Sequence, residues 1–180
     1  MYSTYYNCYN LTGSPACGNN VTDMHYAYCY CSNLTGSPVC GDNVTNMSSA
    51  YYNCYNLTGS PVCGNNVTNM SYTYYYCRNL TGSPVCGNKV TNMYCTYFNC
   101  TNLNNCTVNW YANNITNVRN CFYKKNNSRR YNIHVPANSI TFNTMIVNNA
   151  KSLIGAAITW TNNSTCWYNT AYNIYIYPDL

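Results

Sequence analysis

Residues 43–65 read NVTNMSSAYYNCYNLTGSPVCGN, and the same phrase returns every 23 residues along the first half of the chain. Cys8, Cys31, Cys54, Cys77 and Cys100 share one phase. Leu11, Leu34, Leu57, Leu80 and Leu103 share a second, and Tyr5, Tyr28, Tyr51, Tyr74 and Tyr97 a third. Met1 falls in step with Met24, Met47, Met70 and Met93, so the array is expected to have begun before residue 1 in a longer protein. Repeats of 20–50 residues mark architectures in which each unit buries its apolar face only against the next unit.

Two periods operate inside one unit. Val44, Met47, Ala50 with Tyr51, and Cys54 are three or four residues apart. That spacing predicts a short helix with one apolar face, although Ser, Asn and Tyr are mediocre helix formers. Leu57-Thr58-Gly59 then predicts a short extended piece, closed by Pro61, which has no N–H for a ladder. The fold class expected from this alternation is an α/β repeat solenoid, a leucine-rich-repeat-like right-handed stack of short strands and short helices over residues 1–125. A degenerate sixth unit is expected where Ile115-Thr116-Asn117-Val118 follows Val90-Thr91-Asn92-Met93 two residues late, which puts Lys125 at the place of the periodic Cys. The pattern lapses near Arg130, so residues 126–180 are expected to form an α+β C-terminal cap. In it Ile133 and Val135 form an inward strand, Pro136 ends it, and Asn138 or Ser139 caps a helix running to about Asn149 with Phe142, Met145 and Ile146 on one face. Ile158 with Trp160, and Ile174 with Ile176, repeat the strand alternation.

Composition narrows the function. The chain has 180 residues, of which 6% are charged, with 8 Lys+Arg against 3 Asp+Glu. Globular domains carry roughly 25% charged residues. There is no Glu, and Asp23, Asp42 and Asp179 are the only side-chain carboxylates, which leaves little for acid–base catalysis. No apolar run reaches the roughly 18–20 residues of a membrane helix, and the first residues lack a secretory-signal pattern. Neither membrane insertion nor an enzyme is expected. Arg119, Lys124, Lys125, Arg129 and Arg130 form one basic cluster, which reads as a solvated face rather than a nucleic-acid site.

The phrase Asn-Val-Thr-Asn-Met followed by an aromatic segment and Cys-x-x-Leu-Thr, at residues 66–81, resembles the BspA-type branch of bacterial surface leucine-rich-repeat proteins. Asn-Ile-His-Val-Pro-Ala-Asn-Ser, at 132–139, is similar to the endings of such arrays. The resemblance spans about residues 1–160. It implies a leucine-rich-repeat architecture and a repeat protein of bacterial or phage origin, at a cell or virion surface. Gly-Ser-Pro stands where longer members carry an apolar strand residue.

The 14 Cys show none of the paired spacing of a zinc site, so neither metal nor cofactor is expected, and buried free thiols are favoured over a disulfide ladder. The sequons at Asn10, Asn33, Asn56 and Asn79 recur because the unit recurs, and their amides suit the corner between units. His25 and Cys29 would meet on a helix, but neighbouring units carry Ser48 with Tyr52, or Ser71 with Tyr75, at those places.

Recognition is expected where units differ. One position reads Tyr2, His25, Ser48, Ser71, Tyr94 and the next Ser3, Tyr26, Ser49, Tyr72, Cys95. A third reads Asn7, Tyr30, Asn53, Tyr76, Asn99 and a fourth Tyr9, Ser32, Tyr55, Arg78, Thr101. Their large occupants are the candidate binding residues, since Tyr gives wide contact area at low entropic cost. The function expected is non-enzymatic adhesion or receptor binding outside the cell, with a protein or glycan surface ligand. The alternative is a structural part of a fibre, surface layer or virion, with homo-oligomeric or end-to-end assembly.

Overall fold

The computed structural model describes residues 1–103, 106–123, 130–137, 139–143, 153, 161–170 and 174–178. Lys124, Lys125, Arg129, Met145, Ile146, Asn149, Ile158 and Trp160 lie outside them, as does the expected boundary at 125/126. In chain order the elements are β1 (Val85–Cys86), β2 (Cys106–Trp110), β3 (Tyr131–His134), α1 (Ile140–Asn143), β4 (Thr161–Asn162), β5 (Trp167–Asn169) and β6 (Ile174–Tyr177). All six strands join one sheet in the order β1-β2-β3-β6-β5-β4. The pairs β1–β2, β2–β3 and β3–β6 are parallel, while β6–β5 and β5–β4 are antiparallel.

The expected α/β solenoid with a helix in every unit is therefore not what forms. The expected helices are chains of turns, and the strands belong to one mixed sheet. The segment from Met24 shows why. The N–H groups of Met24, Tyr26, Tyr28 and Tyr30 donate to the carbonyls of Asn46, Ser48, Ala50 and Tyr52 in the next unit, at 2.8–3.2 Å. Those of Ala27, Cys29 and Cys31 donate three residues back, to Met24, Tyr26 and Tyr28. A helix would keep every one of these bonds inside the segment. Turning alternate N–H groups outward requires a left-handed residue at each reversal, and Tyr26 and Tyr30 have φ of 54° and 63°. Ser49 and Asn53, Tyr72 and Tyr76, and Cys95 and Asn99 repeat the pair. Such residues interrupt a right-handed helix.

Side chains hold the rest of the unit. Asn46, Asn69, Asn92 and Asn117, with Asp23 in the same phase, pair in parallel along the array. Each accepts, through Oδ1, the N–H two residues on, an Asx turn that opens the turn chain. The Asn92–Asn117 pairing and the Thr116 N–H to Thr91 carbonyl bond place the degenerate sixth unit in register. Gly59 has φ of 77°, and a side chain there would meet Ser37 Oγ of the preceding unit. The Leu-Thr-Gly pieces make one inter-unit bond per unit, as Thr58 N–H to Gly36 carbonyl.

The core is a set of ladders: Met24, Met47, Met70 and Met93, then Val44, Val67 and Val90, then Leu34, Leu57, Leu80 and Leu103, all buried. Cys31, Cys54, Cys77 and Cys100, like the other cysteines whose side chains are described, are free thiols. Cys31, Cys54, Cys77 and Cys100 donate S–H to the carbonyls of Tyr5, Tyr28, Tyr51 and Tyr74 at 2.9–3.0 Å. At the C-terminal end Ile133, Val135, Ile174 and Ile176 are buried, and Ser139 Oγ accepts the Phe142 N–H at 3.0 Å to cap α1.

Two measurements check this backbone. Asn53→Gly should leave stability unchanged or raise it, because Gly takes positive φ freely, whereas Asn53→Val should cost about 1–2 kcal/mol. In a helix Gly would instead cost about 1 kcal/mol relative to Ala, so denaturation showing equal losses for both variants would contradict the turn chain. The thiols set a pH limit. Burial lifts Cys31 and Cys40 from an ordinary value near 9 to about 11 and pushes Cys54 and Cys77 well upward. A raised acid pKa gives stability that is complete below the unfolded value and is lost as pH rises toward the folded one. Urea unfolding should therefore show stability falling between pH 9 and about 11, and a flat profile there would count against buried protonated thiols.

Candidate functional site

Two aromatic columns run along the array, because a 23-residue repeat places equivalent rings one above another. In the inner column Tyr28, Tyr51, Tyr74 and Tyr97 are buried, and consecutive rings stack at 5.5–5.7 Å within 4° of parallel. Phe122 continues it at 5.3 Å. Each such contact adds about 0.5–1.5 kcal/mol beyond area burial. The phenols also satisfy backbone: Tyr51 Oη donates to the Val39 carbonyl at 2.7 Å and accepts its N–H at 3.1 Å. Tyr28 and Tyr74 repeat this at Ala16 and Val62. Tyr5, at the first unit, is 36% exposed, and the Tyr97 hydroxyl is buried without a partner.

The second column lies nearer the surface. Tyr52, Tyr75, Phe98 and Tyr123 stack at 4.5–4.6 Å, with ring planes 8–18° apart. Tyr6 holds the same phase in the first unit, but the unit between Tyr6 and Tyr52 carries Cys29 there. The missing ring opens a cleft of about 680 Å³. Cys29 is on its floor, Tyr6 and Tyr52 stand on either side, Tyr26, Tyr30 and Tyr72 form walls, and Ser3 and Ser49 complete the lining.

The walls come from the left-handed positions. Tyr26 and Tyr30 meet the Tyr6 ring edge to face at 5.9 and 6.0 Å, and Tyr30 meets Tyr52 at 5.4 Å. Tyr72 sits 6.3 Å from Tyr52 and 5.6 Å from Tyr75, both at inclined angles. Ser3 and Ser49 occupy the Tyr26 position in the units before and after it, and their small side chains leave the cleft its width. Desolvation raises the phenol pKa values of Tyr52 and Tyr72. It also lifts the Cys29 thiol to about 12, with Cys31 adding to the rise, so Cys29 is a neutral thiol at physiological pH rather than a nucleophile.

Of the residues singled out from sequence, Tyr26, Tyr30 and Tyr72 enter the cleft. His25 stacks on Tyr26 at 4.1 Å, Tyr2 meets His25 edge-on at 5.2 Å, and Tyr94 meets Tyr72 edge-on at 5.0 Å, so these three form its rim. Arg78 gathers a separate cluster, with its guanidinium 5.6 Å from the Tyr55 ring and 5.2 Å from that of Tyr76. Tyr9 is 57% exposed and joins neither. His25 and Cys29 do not share a helix face, because Tyr26 reverses the backbone between them.

Reading only the variable positions missed Tyr6, Tyr52 and Cys29. Their signal was of the opposite kind, an aromatic position that fails once: Tyr6, Cys29, Tyr52, Tyr75, Phe98. Among the described residues no three His, Cys, Asp or Glu side chains gather in a metal-binding group. No helix there is long and apolar enough to cross a membrane.

No curated protein and no solved structure matches the chain. Residues 86–174 match the model of a family described as Mycoplasma protein of unknown function, DUF285. That stretch is just under half of the chain, begins inside β1 and ends at the start of β6, and leaves out the residues that line the cleft. The match is compatible with the BspA-type resemblance of the repeats, and the domain it identifies is one of unknown function.

Proposed function

We propose that this chain is a non-enzymatic recognition protein that works outside the cell, at a cell or virion surface, and engages its partner through the tyrosine cleft and its aromatic rim. One observation carries the reading: five tyrosines from four successive units converge on a single concavity while the equivalent rings further along are packed in a closed stack. Concave, aromatic-lined sites with a few hydroxyls are the usual form of a binding pocket. Mounting them on a hydrogen-bonded array limits the ordering cost on binding. The neutral Cys29 thiol and the scarcity of carboxylates speak for binding over catalysis. Surface placement is supported by the BspA-type resemblance and by the Mycoplasma family matched at 86–174.

Binding of the purified chain to intact cells, measured by flow cytometry, tests the proposal. Tyr30→Ala and Tyr72→Ala should each weaken binding at least about tenfold, the loss typical of a buried aromatic anchor. Tyr9→Ala should leave it unchanged. Equal binding by all three variants, or ordered filaments with no cell binding, would overturn the cleft as the recognition site.

A further inference from the structure

The cleft also indicates what it holds. We infer that the gap at Cys29 is a subsite for one uncharged sugar ring, so that the ligand is a neutral glycan; this rests on the recognition reading above. The first argument is geometric. From Tyr52 to Tyr123 the outer column holds one ring per unit at 4.5–4.6 Å. Cys29 leaves the column between Tyr6 and Tyr52 one stacked ring short; Tyr26 stands edge-on to Tyr6, and Tyr30 stands edge-on to both Tyr6 and Tyr52, so no ring fills the gap face-on. One six-membered ring with an apolar face is of the size that completes the column.

The second argument is chemical. None of the described Lys, Arg or Asp side chains lines the cleft. A charged ligand would lose its hydration there without gaining a counter-ion, which is costly. The polar groups present are the phenols of the five tyrosines, the hydroxyls of Ser3 and Ser49 and the Cys29 thiol. Tyr52 bonds Tyr30 and Tyr72 bonds Tyr94 within the protein; an aromatic or aliphatic side chain of a peptide would give the cleft hydroxyls no further partner, at roughly 1–3 kcal/mol for each one left unpaired. A pyranose meets both demands. Its axial C–H groups form a flat apolar face for the tyrosine rings, whose faces are electron-rich, and its equatorial hydroxyls form a polar rim for Ser3, Ser49 and the phenols. The volume of about 680 Å³ exceeds one ring, so adjacent sugars extend toward the rim at Tyr72.

The substitution that tests this is Cys29→Tyr, which restores the missing ring in the same backbone setting that already carries Tyr6 and Tyr52. The full chain and the variant would be titrated with neutral trisaccharides (cellotriose, maltotriose and chitotriose), with sialyllactose as the charged sugar and Gly-Trp-Gly as the aromatic peptide. Saturation-transfer NMR and calorimetry give the readout. Binding of at least one neutral trisaccharide, weakened at least tenfold by Cys29→Tyr and unaffected by Arg78→Ala, is the expected result. If Cys29→Tyr does not fold, Tyr30→Ser removes a wall instead and should produce the same loss. Preference for sialyllactose or the peptide, or trisaccharide binding that survives both variants, would overturn the inference. Cell binding that depends on Tyr30 while no trisaccharide binds would also overturn it and leave the recognition reading standing. Absence of both cell and sugar binding would remove the two together.

Discussion

The structure depends on how backbone N–H groups are shared between a unit and its successor. In each turn chain every second N–H closes a turn three residues back, and the others cross to the carbonyls of the next unit. The crossing bonds give the stack its register, and the register brings identical side chains face to face. Methionine meets methionine, ring meets ring, and thiol meets carbonyl at intervals fixed by the backbone rather than by the shape of any one side chain. A left-handed residue at two places per unit is what this arrangement requires. Those places hold only Ser, Asn, Tyr and Cys, and no β-branched residue, for which positive φ is least tolerable.

Where the units cannot form a ladder, side chains supply the bonds. Pro15, Pro38, Pro61 and Pro84 recur at the same point; no strand directly follows the first three, and only the two-residue β1 follows Pro84, where β2 lies beside it. At Ala16, Val39 and Val62 the donor and acceptor are a single phenol from the inner column, which does the work of a neighbouring strand. In the fifth unit the equivalent stretch, Cys106–Trp110, contains no proline and becomes β2. From there the sheet continues through β3 and β6. The change from phenol-satisfied loops to paired strands thus begins where a proline-free stretch gives the preceding unit's Val85–Cys86 a neighbour to pair with. The inner-column phenols bond the residue 12 before them, and for Tyr97 that residue is Val85, in β1; the Tyr97 hydroxyl is buried without a partner.

The periods legible in the sequence were those of the repeat and the core. Met, Val, Leu, Cys and Tyr in constant phase pointed inward, and they are the buried ladders. Helix was misread because spacing of three and four describes two different structures. Successive turns closed three residues back place side chains much as a helix does, and only the sign of φ at residues such as Tyr26 and Tyr30 separates them. No propensity announces a left-handed tyrosine. Asn and Ser at the same positions of the first and third units were the available hint, since Asn is among the few residues that adopt this conformation readily. The cleft was half legible for a related reason. Attention to variable positions found its walls, but its floor lies at a position that is aromatic in every unit except one.

The distribution of tyrosine along the left-handed positions explains why a cleft exists at all. The first and third units carry Ser and Asn there, the second and fourth carry Tyr twice. Stacked backbones are about 5 Å apart, a spacing at which rings lying flat on one another fit in every unit, while rings standing edge-on take more room. Tyr26, Tyr30 and Tyr72 stand edge-on or inclined, and Ser3, Ser49 and Asn53 at the same positions of the units between and beside them leave room for this. The outer column has the single period and the wall tyrosines the double one. Where both are filled, as around Tyr75 and Phe98, the surface is closed. At Cys29 the single-period column drops one ring beside a pair of edge-on walls, and the mismatch between the two periods opens as a concavity. One residue that breaks the single-period column, set beside walls that follow the double period, thus opens a concavity in an otherwise continuous aromatic face.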